Sequence, residues 1–449
     1  MALDAAIDWE VRQDGNDANG GGWKRTAGTT DYSLFAAAEL SATDLACASN
    51  TTLTSATGGF TAAMVGNVVQ IASGTNALAG FYEITAYAST NSVTIDRTCA
   101  TGGNMTAGVG KVGGALASLA AAASVPYVAG NQFYVKYSAT PYVCLGAATF
   151  SVAGSYGTHT FIHGYDTTRS IYNTDANRPT IRVADSGVTS ITMLVLNGTN
   201  LVAAGLILDG NGKTEIQGIS HSGAWVAITR CKVLNCTNGG IVSTYPVINC
   251  EADTCSIGIS GGHIFGCYAH DCTSHGFYNV TTIVDCLSVG NGGIGISTGN
   301  SAFIVNRCIA YGNAGNGFAV SGLNHLPVYN CIAEGNGGWG FTYQGYTSPR
   351  LFYCATYNTS GSFSTSVVKS QGCVEVTNGS VFTNAAAGDF TLNNTALRGA
   401  LLRGVGFPGT FLNGNVGYAD IGLFQHEDAG GGGAIVNQGL HAIEAGISA

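Results

Sequence analysis

The sequence predicts an all-β chain whose body is a right-handed parallel β-helix, a solenoid of stacked β coils. Three observations carry that expectation: a cysteine-marked repeat of about 20 residues, columns of one chemical type at fixed offsets from the cysteine, and an unusual composition. Of 449 residues, 66 are Gly and 7 are Pro, and only 10% are charged, against roughly 25% in ordinary soluble domains. Hydrophobic residues make up 45% of the chain, too many for a disordered one. No apolar run approaches the ~18 residues of a spanning helix, so membrane insertion is not expected. A net charge of −9 without any basic cluster argues against nucleic acid as a partner, because phosphate contacts need Lys and Arg.

The repeat runs from 228 to 360. The units ITRCKVLNC, VINCEADTC, IFGCYAHDC, IVDCLSVGN, VNRCIAYGN, VYNCIAEGN and LFYCATYNT align on Cys231, Cys250, Cys267, Cys286, Cys308, Cys331 and Cys354, spaced 19, 17, 19, 22, 23 and 23 residues apart. Five residues on, the column reads Cys236, Cys255, Cys272, Asn291, Asn313 and Asn336. Three residues before each cysteine stands an aliphatic residue, from Ile228 to Leu351. A Gly followed by an apolar residue closes each unit, as in Gly258-Ile259 and Gly295-Ile296; this Gly is expected to serve a bend with φ > 0. Parallel coils stack equivalent residues about 4.8 Å apart, so whole columns share one chemistry, and inward Asn can bond along the axis. Leucine-rich repeats are excluded for want of a Leu-x-x-Leu-x-Leu frame, and helical repeats because apolar positions do not recur at i, i+3, i+4.

The other elements follow in chain order. Residues 1–40 read as a strand and a Gly-rich loop, WEVRQDGNDANGGGW at 9–23. The loop is neither a phosphate loop nor a dinucleotide fingerprint, lacking Gly-Lys-Ser/Thr and a βαβ setting. Residues 41–112 read as an inserted β module, with strand-like alternation in NVVQIAS (67–73), GFYEITAYA (80–88) and NSVTIDRT (91–98). The β-helix proper spans 113–385. It opens with an Ala-rich helix at 114–125, expected to cap the solenoid, and a first strand in 131–138. Residues 386–449 form a C-terminal β segment, a GGGG linker (430–433) and a tail in which Leu440, Ile443 and Ile447 share one helical face, suited to docking on a neighbour.

The cysteines admit two readings. Cys267, His270, Cys272 and His275 have zinc-like spacing. Yet Cys267 and Cys272 simply continue columns, so reduced, buried thiols are expected, with no metal and no cofactor. Chemistry on such a fold needs outward acids or bases. One patch is dense: Glu251 and Asp253 on one coil, His270 and Asp271 on the next, with Asp253 and His270 in the same column. These are the candidate catalytic residues, and the expectation is that they are solvated polar groups rather than a catalytic set. Asp209 in LDGNG reads as a turn residue. The column just after the cysteine runs Lys232, Glu251, Tyr268, Leu287, Ile309, Ile332, Ala355. If it points outward, Leu287, Ile309 and Ile332 form an apolar strip expected to be a subunit interface. If the aliphatic column sets the parity instead, the strip is core.

The body resembles the pectate-lyase-like superfamily of right-handed β-helix proteins. The opening WEVR-DGNDANGGGW, the inserted module, the coils and a closing DFTL…DIG together resemble uncharacterised β-helix proteins found among phage structural genes. The resemblance implies a spike, fibre or capsid-decorating protein, commonly a homotrimer. Such a protein would join other virion proteins through its N- or C-terminal segment and contact host-surface glycans. Some proteins of that kind cleave polysaccharide. The sparse outward charge favours a non-enzymatic virion component over a polysaccharide-cleaving tailspike (lyase or hydrolase). MALDAAIDWEVRQ is no secretory signal, so synthesis in a host cytoplasm and assembly into a virion are expected rather than export as a cell-surface adhesin.

Overall fold

A computed structural model describes residues 3–151, 158–169, 177–221, 223–321, 326–344, 348–358, 360–406, 408–410, 416–418 and 420–424. The chain divides into two compact units, Met1–Leu208 with Ser222–Val226, and Asp209–His221 with Ala227–Ala449. Leu440, Ile443 and Ile447 lie outside the described residues.

In the first unit, strand Ile7–Val11 pairs antiparallel with Gly22–Lys24 and parallel with Gln132–Lys136, which pairs in turn with Thr160–Tyr165. Two further parallel pairs, Tyr142–Cys144 with Thr180–Val183 and Ala148–Phe150 with Thr192–Leu196, supply the other faces of the early coils. Trp9 is fully buried and donates from Nε1 to Asn131 Oδ1 (3.0 Å). The loop that follows works through its polar side chains. Asp17 accepts from the N–H groups of Ala117 and Ser118 (2.7 and 2.9 Å), and Asn19 donates to the carbonyls of Ala36 and Ala115.

The Ala-rich segment is helical only over Leu119–Ser124, with Ser118 as N-cap. This corrects the expected helix at 114–125. Gly113 and Gly114 adopt φ of +64° and +72°, and Leu116 exchanges backbone bonds with Glu10 and Arg12, so the first half of the segment is extended. The outer edge of Gln132–Lys136 is occupied by Ile7–Val11. Residues 40–112 close into a six-stranded barrel in the order Leu40–Cys47, Thr52–Ser55, Ser92–Ile95, Gly80–Ser89, Val68–Thr75, Met105–Val112. All pairings are antiparallel, around a core that includes Leu45, Phe60, Tyr82 and Met105.

In the second unit the coils up to Phe341–Tyr343 have three short strands each, and the last two have two. One coil runs Val247–Ile248, Glu251–Asp253 and Ile259–Ser260. It pairs parallel with the next through Val247↔Ile264, Ala252↔Ala269 and Ile259↔Phe277. The aliphatic column and the cysteine column both face inward because one residue between them is left-handed. Arg230, Asn249, Gly266, Asp285, Arg307, Asn330 and Tyr353 have φ between +49° and +61°, a region few non-Gly residues enter. A second left-handed residue precedes the Cys/Asn column, at Asn235, Thr254, Asp271, Gly290, Gly312 and Gly335.

None of the fourteen cysteines is in a disulfide; thirteen are buried and Cys373 is half-buried. The thiols do more than pack. The N–H groups of Cys231, Cys250 and Cys267 each donate to the Sγ one coil on, at 3.4 Å. The Asn column does the same with better acceptors. Asn313 Oδ1 takes the N–H and the amide of Asn291 (3.1 and 2.8 Å), and Asn336 Oδ1 takes those of Asn313 (3.1 and 2.8 Å).

The closing glycines are not bends with positive φ, as the sequence suggests; their need is space. A Cβ on Gly258 would lie 2.5 Å from the Gly276 carbonyl oxygen, and one on Gly295 would lie 2.7 Å from Asn313 Nδ2.

The apolar strip requires a further correction. Leu287, Ile309 and Ile332 do project from the outer side of the coils, but all are at most 1% exposed. Their cover is the chain's own C-terminal segment, through Val381, Phe382, Phe390, Leu402, Ile421 and Leu423. The cover is pinned by Val381 N–H to buried Glu334 Oε2 (3.0 Å), by Gly422 N–H to the Asn330 carbonyl (2.9 Å), and by Phe390 edge-on to Tyr311 (5.4 Å between centroids). Its hairpin, Phe382–Asn384 with Asp389–Leu392, straddles the expected boundary at 386.

Candidate functional site

The strands that carry the cysteines expose alternate residues on the outer face. Register places Lys232 beside Glu251, Glu251 beside Tyr268, and Asp253 beside His270. The four expected site residues are therefore brought together, with Lys232 and Tyr268 added. Lys232 Nζ lies 2.8 Å from Glu251 Oε1 and 3.3 Å from Asp253 Oδ2. His270 Nε2 lies 3.1 Å from the same Glu251 oxygen, and its Nδ1 lies 2.8 Å from Asp271 Oδ2 and 3.7 Å from Asp253 Oδ1. The Tyr268 ring stacks on the imidazole at 4.2 Å. Asp271 is largely exposed; the others are half-buried.

The charges are mutually fixed. Burial works to raise the Glu251 pKa, but hydrogen bonds from His270 and Lys232 outweigh it and hold the carboxyl below its usual range. Burial works to lower those of Lys232 and His270, and the facing carboxylates outweigh it and raise both. The cluster is a lattice in which the Lys232 ammonium and the His270 ring sit among the carboxylates of Glu251, Asp253 and Asp271. Donor atoms of Glu251, Asp253 and His270 lie within 4.8 Å of one another, as metal ligands would. They do not fit calcium, which takes six to eight oxygens, because one donor is a nitrogen and the Lys232 ammonium already sits against both carboxylates. The zinc-like run does not converge. Cys267 and Cys272 are buried inside the coil, His270 faces the outer carboxylates, and His275 Nδ1 pairs with Ser274 Oγ at 2.6 Å. Asp209 accepts from Asn211 N–H and Asn235 Nδ2, as a turn residue does. Asp285 and Arg307, on successive coils, form a bidentate pair (2.6 and 2.6 Å).

The sequence reading missed a denser ionic cluster in the first unit. Asp8 and Glu10 share one face of Ile7–Val11. Arg169 reaches Glu10 (2.8 Å), Asp31 (2.6 Å) and Ser33 (2.9 Å) and lies over the Tyr134 ring, while the Tyr165 hydroxyl donates to Glu10. Burial raises Asp8 to about 6 despite Arg25 at 2.7 Å, and raises Glu10 to about 7 despite Arg169. Raised carboxyl pKa values often mark active sites. Here Glu10 is 0% exposed and Asp8 5%, so no substrate reaches them and the network serves to pin the first strand. Only the alternation Asp-x-Glu in the opening segment hinted at it.

These features define a parallel β-helix protein with one accessible, salt-bridged polar cluster among the described residues. No protein-family model and no curated protein matches the chain. Among solved structures it is similar to pectate lyase Pel9A, at 17% identity and TM-score 0.48, over 70% of this chain and 92% of that one. It is similar to the A-module of Azotobacter vinelandii mannuronan C-5 epimerase AlgE4, at 11% identity and TM-score 0.36, over 55% and 91%. It is also similar to the tailspike protein gp49 of Pseudomonas phage LKA1, at 12% identity and TM-score 0.17, over 76% and 66%. At such identities the likeness concerns the fold and assigns no activity.

Proposed function

We propose that this protein is a non-enzymatic structural component of a phage particle, a spike, fibre or capsid decoration that contacts host-surface glycans. The observation that carries the non-enzymatic part is the mutual pairing of the cluster's side chains. A general acid on a glycosidase is a carboxyl with raised pKa, and Glu251 is lowered. A Lys or His base must be unprotonated near pH 7, and Lys232 and His270 are both held toward their charged forms; the Glu251 carboxylate, which could serve as a base instead, is bonded by both of them. The Tyr268–His270 stack offers an aromatic platform of the kind sugars pack against. The particle setting rests on the resemblance of the opening segment, barrel, coils and closing segment to phage β-helix proteins, and a homotrimer is the expected assembly. The test is mass spectrometry of gradient-purified particles from a strain carrying the gene. The chain should co-sediment with the particles at fixed stoichiometry; a chain found only in the soluble lysate contradicts the reading. One observation favours a second reading, a polysaccharide-cleaving tailspike: three ligand-type side chains converge within 4.8 Å on the outer face.

A further inference from the structure

The ionic cluster around the opening strand holds more acid than base. Asp8 and Glu10 on Ile7–Val11, with Asp31 at the head of the turn Tyr32–Leu34, face two guanidiniums. Arg25 pairs with Asp8 at 2.7 Å. Arg169 is shared, at 2.8 Å from Glu10 and 2.6 Å from Asp31. One negative charge is therefore left without a cation of its own, and Glu10 is fully buried, where an unpaired charge is costly. The groups around it do not make up the difference. Arg12 is held by both oxygens of Asp14 (2.9 and 3.0 Å), and Lys24 by Asp4 and Glu83 (3.2 Å each). Lys136 acts on Asp14. Burial raises the pKa values of Tyr134, Tyr142 and Tyr165, which stay neutral. His163 stacks on the Tyr134 ring at 5.7 Å.

We propose that Glu10 is a proton-operated latch on the opening strand: protonated, it completes the cluster and holds Ile7–Val11 in place; ionised, it loosens the strand and uncovers the edge of Gln132–Lys136 that the strand covers. The proton comes from solvent and returns to it. A protonated carboxyl keeps both of its contacts, accepting from Arg169 Nε at one oxygen and bonding the Tyr165 hydroxyl at the other. Arg169 then has a single carboxylate, Asp31, to neutralise. Burial raises Glu10 to about 7 and Asp8 to about 6, against the pull of the arginines. Both folded values lie above the free ones of 4.5 and 3.8. The stability that the bound protons contribute is therefore complete below the free values and is lost as pH rises through 6 and 7.

The test is hydrogen exchange read by mass spectrometry on the full-length protein between about pH 5.5 and 8. Rates are corrected for the intrinsic pH dependence of exchange, with the barrel strand Val68–Thr75 as internal reference. Opening of residues 7–11 should rise about 100-fold over that range, about 30-fold from the Glu10 proton and about fourfold from that of Asp8. In Glu10→Gln, whose amide stands in for the protonated acid, only the roughly fourfold part should remain. Asp31→Asn, which keeps a capping side chain, leaves Arg169 to Glu10 alone and should move the transition to lower pH. Circular dichroism identifies a variant that fails to fold, and the other variant then carries the test. Corrected opening that is flat with pH overturns the proposal. So does a rise that survives undiminished in Glu10→Gln, as one carried by His163 would, or a transition that does not move in Asp31→Asn.

Discussion

Ile332→Ala separates an intramolecular cover from a subunit interface. Ile332 is 1% exposed and lies under the C-terminal segment; its Cδ1 would stand 2.6 Å from a Cβ placed on Gly422. Truncation to Ala removes three carbons. At about 0.8 kcal/mol each the transfer contribution is about 2.4 kcal/mol, and the residual cavity brings the total to about 2–5 kcal/mol. Solenoid coils couple mainly to their neighbours, so the loss should appear first as release of the cover. Urea unfolding should show an earlier transition, and limited proteolysis should open sites between 376 and 406 before the coils unfold. The native mass should not change. A variant with unaltered unfolding but a smaller native mass would refute the reasoning and restore the strip as a subunit contact.

Asn313→Ala leaves the N–H and the amide of Asn291 without their acceptor, at about 1–3 kcal/mol for each orphaned group. Asn313→Cys should lose less, since thiols already accept N–H bonds in the neighbouring column, and chemical denaturation of the two variants checks the order. Cys286→Ala should cost about 1–2 kcal/mol through a small cavity, whereas Cys286→Arg should prevent folding, read as loss of soluble protein. The pKa of His270 is raised because its carboxylate partners outweigh the opposing effect of burial. Its protonated form therefore contributes stability that is complete below the free value of 6.5 and is lost as pH rises through the higher folded value. Stability should fall across that window in wild type, and the fall should be reduced in His270→Gln; identical pH profiles for the two would refute the assigned charge state.

The solenoid was legible because stacking forces each position to repeat its chemistry, and the Cys, Asn and aliphatic columns say so directly. The parity of the outer face was not. The bend that reconciles the columns is a single left-handed residue, and it is Arg in two coils and Tyr in another, types that announce no turn. The Ala run at 120–123 has helical propensity, yet its extension to 114 failed because Gly113, Gly114 and Leu116 are committed to the opening segment. The patch of Glu251, Asp253, His270 and Asp271 was legible from column arithmetic alone. The same column puts Lys232 beside Glu251, but the contacts of Lys232 with Asp253 and of His270 with Glu251 cross columns and depend on side-chain reach. Two features join residues far apart in sequence and left little local sign: Arg169 on Glu10, 159 residues apart, marked only by the Asp-x-Glu alternation, and the cover on Leu287, Ile309 and Ile332.

Incubation of the purified protein with a panel of host-surface polysaccharides, followed for new reducing ends and for the ultraviolet absorbance of unsaturated uronates, tests the central claim most directly. With every charge of the Glu251–Asp253–His270 cluster held by a partner, neither signal should rise above a protein-free control. Release of oligosaccharide that disappears in Glu251→Gln or Asp253→Ala would contradict the account and establish the cluster as catalytic.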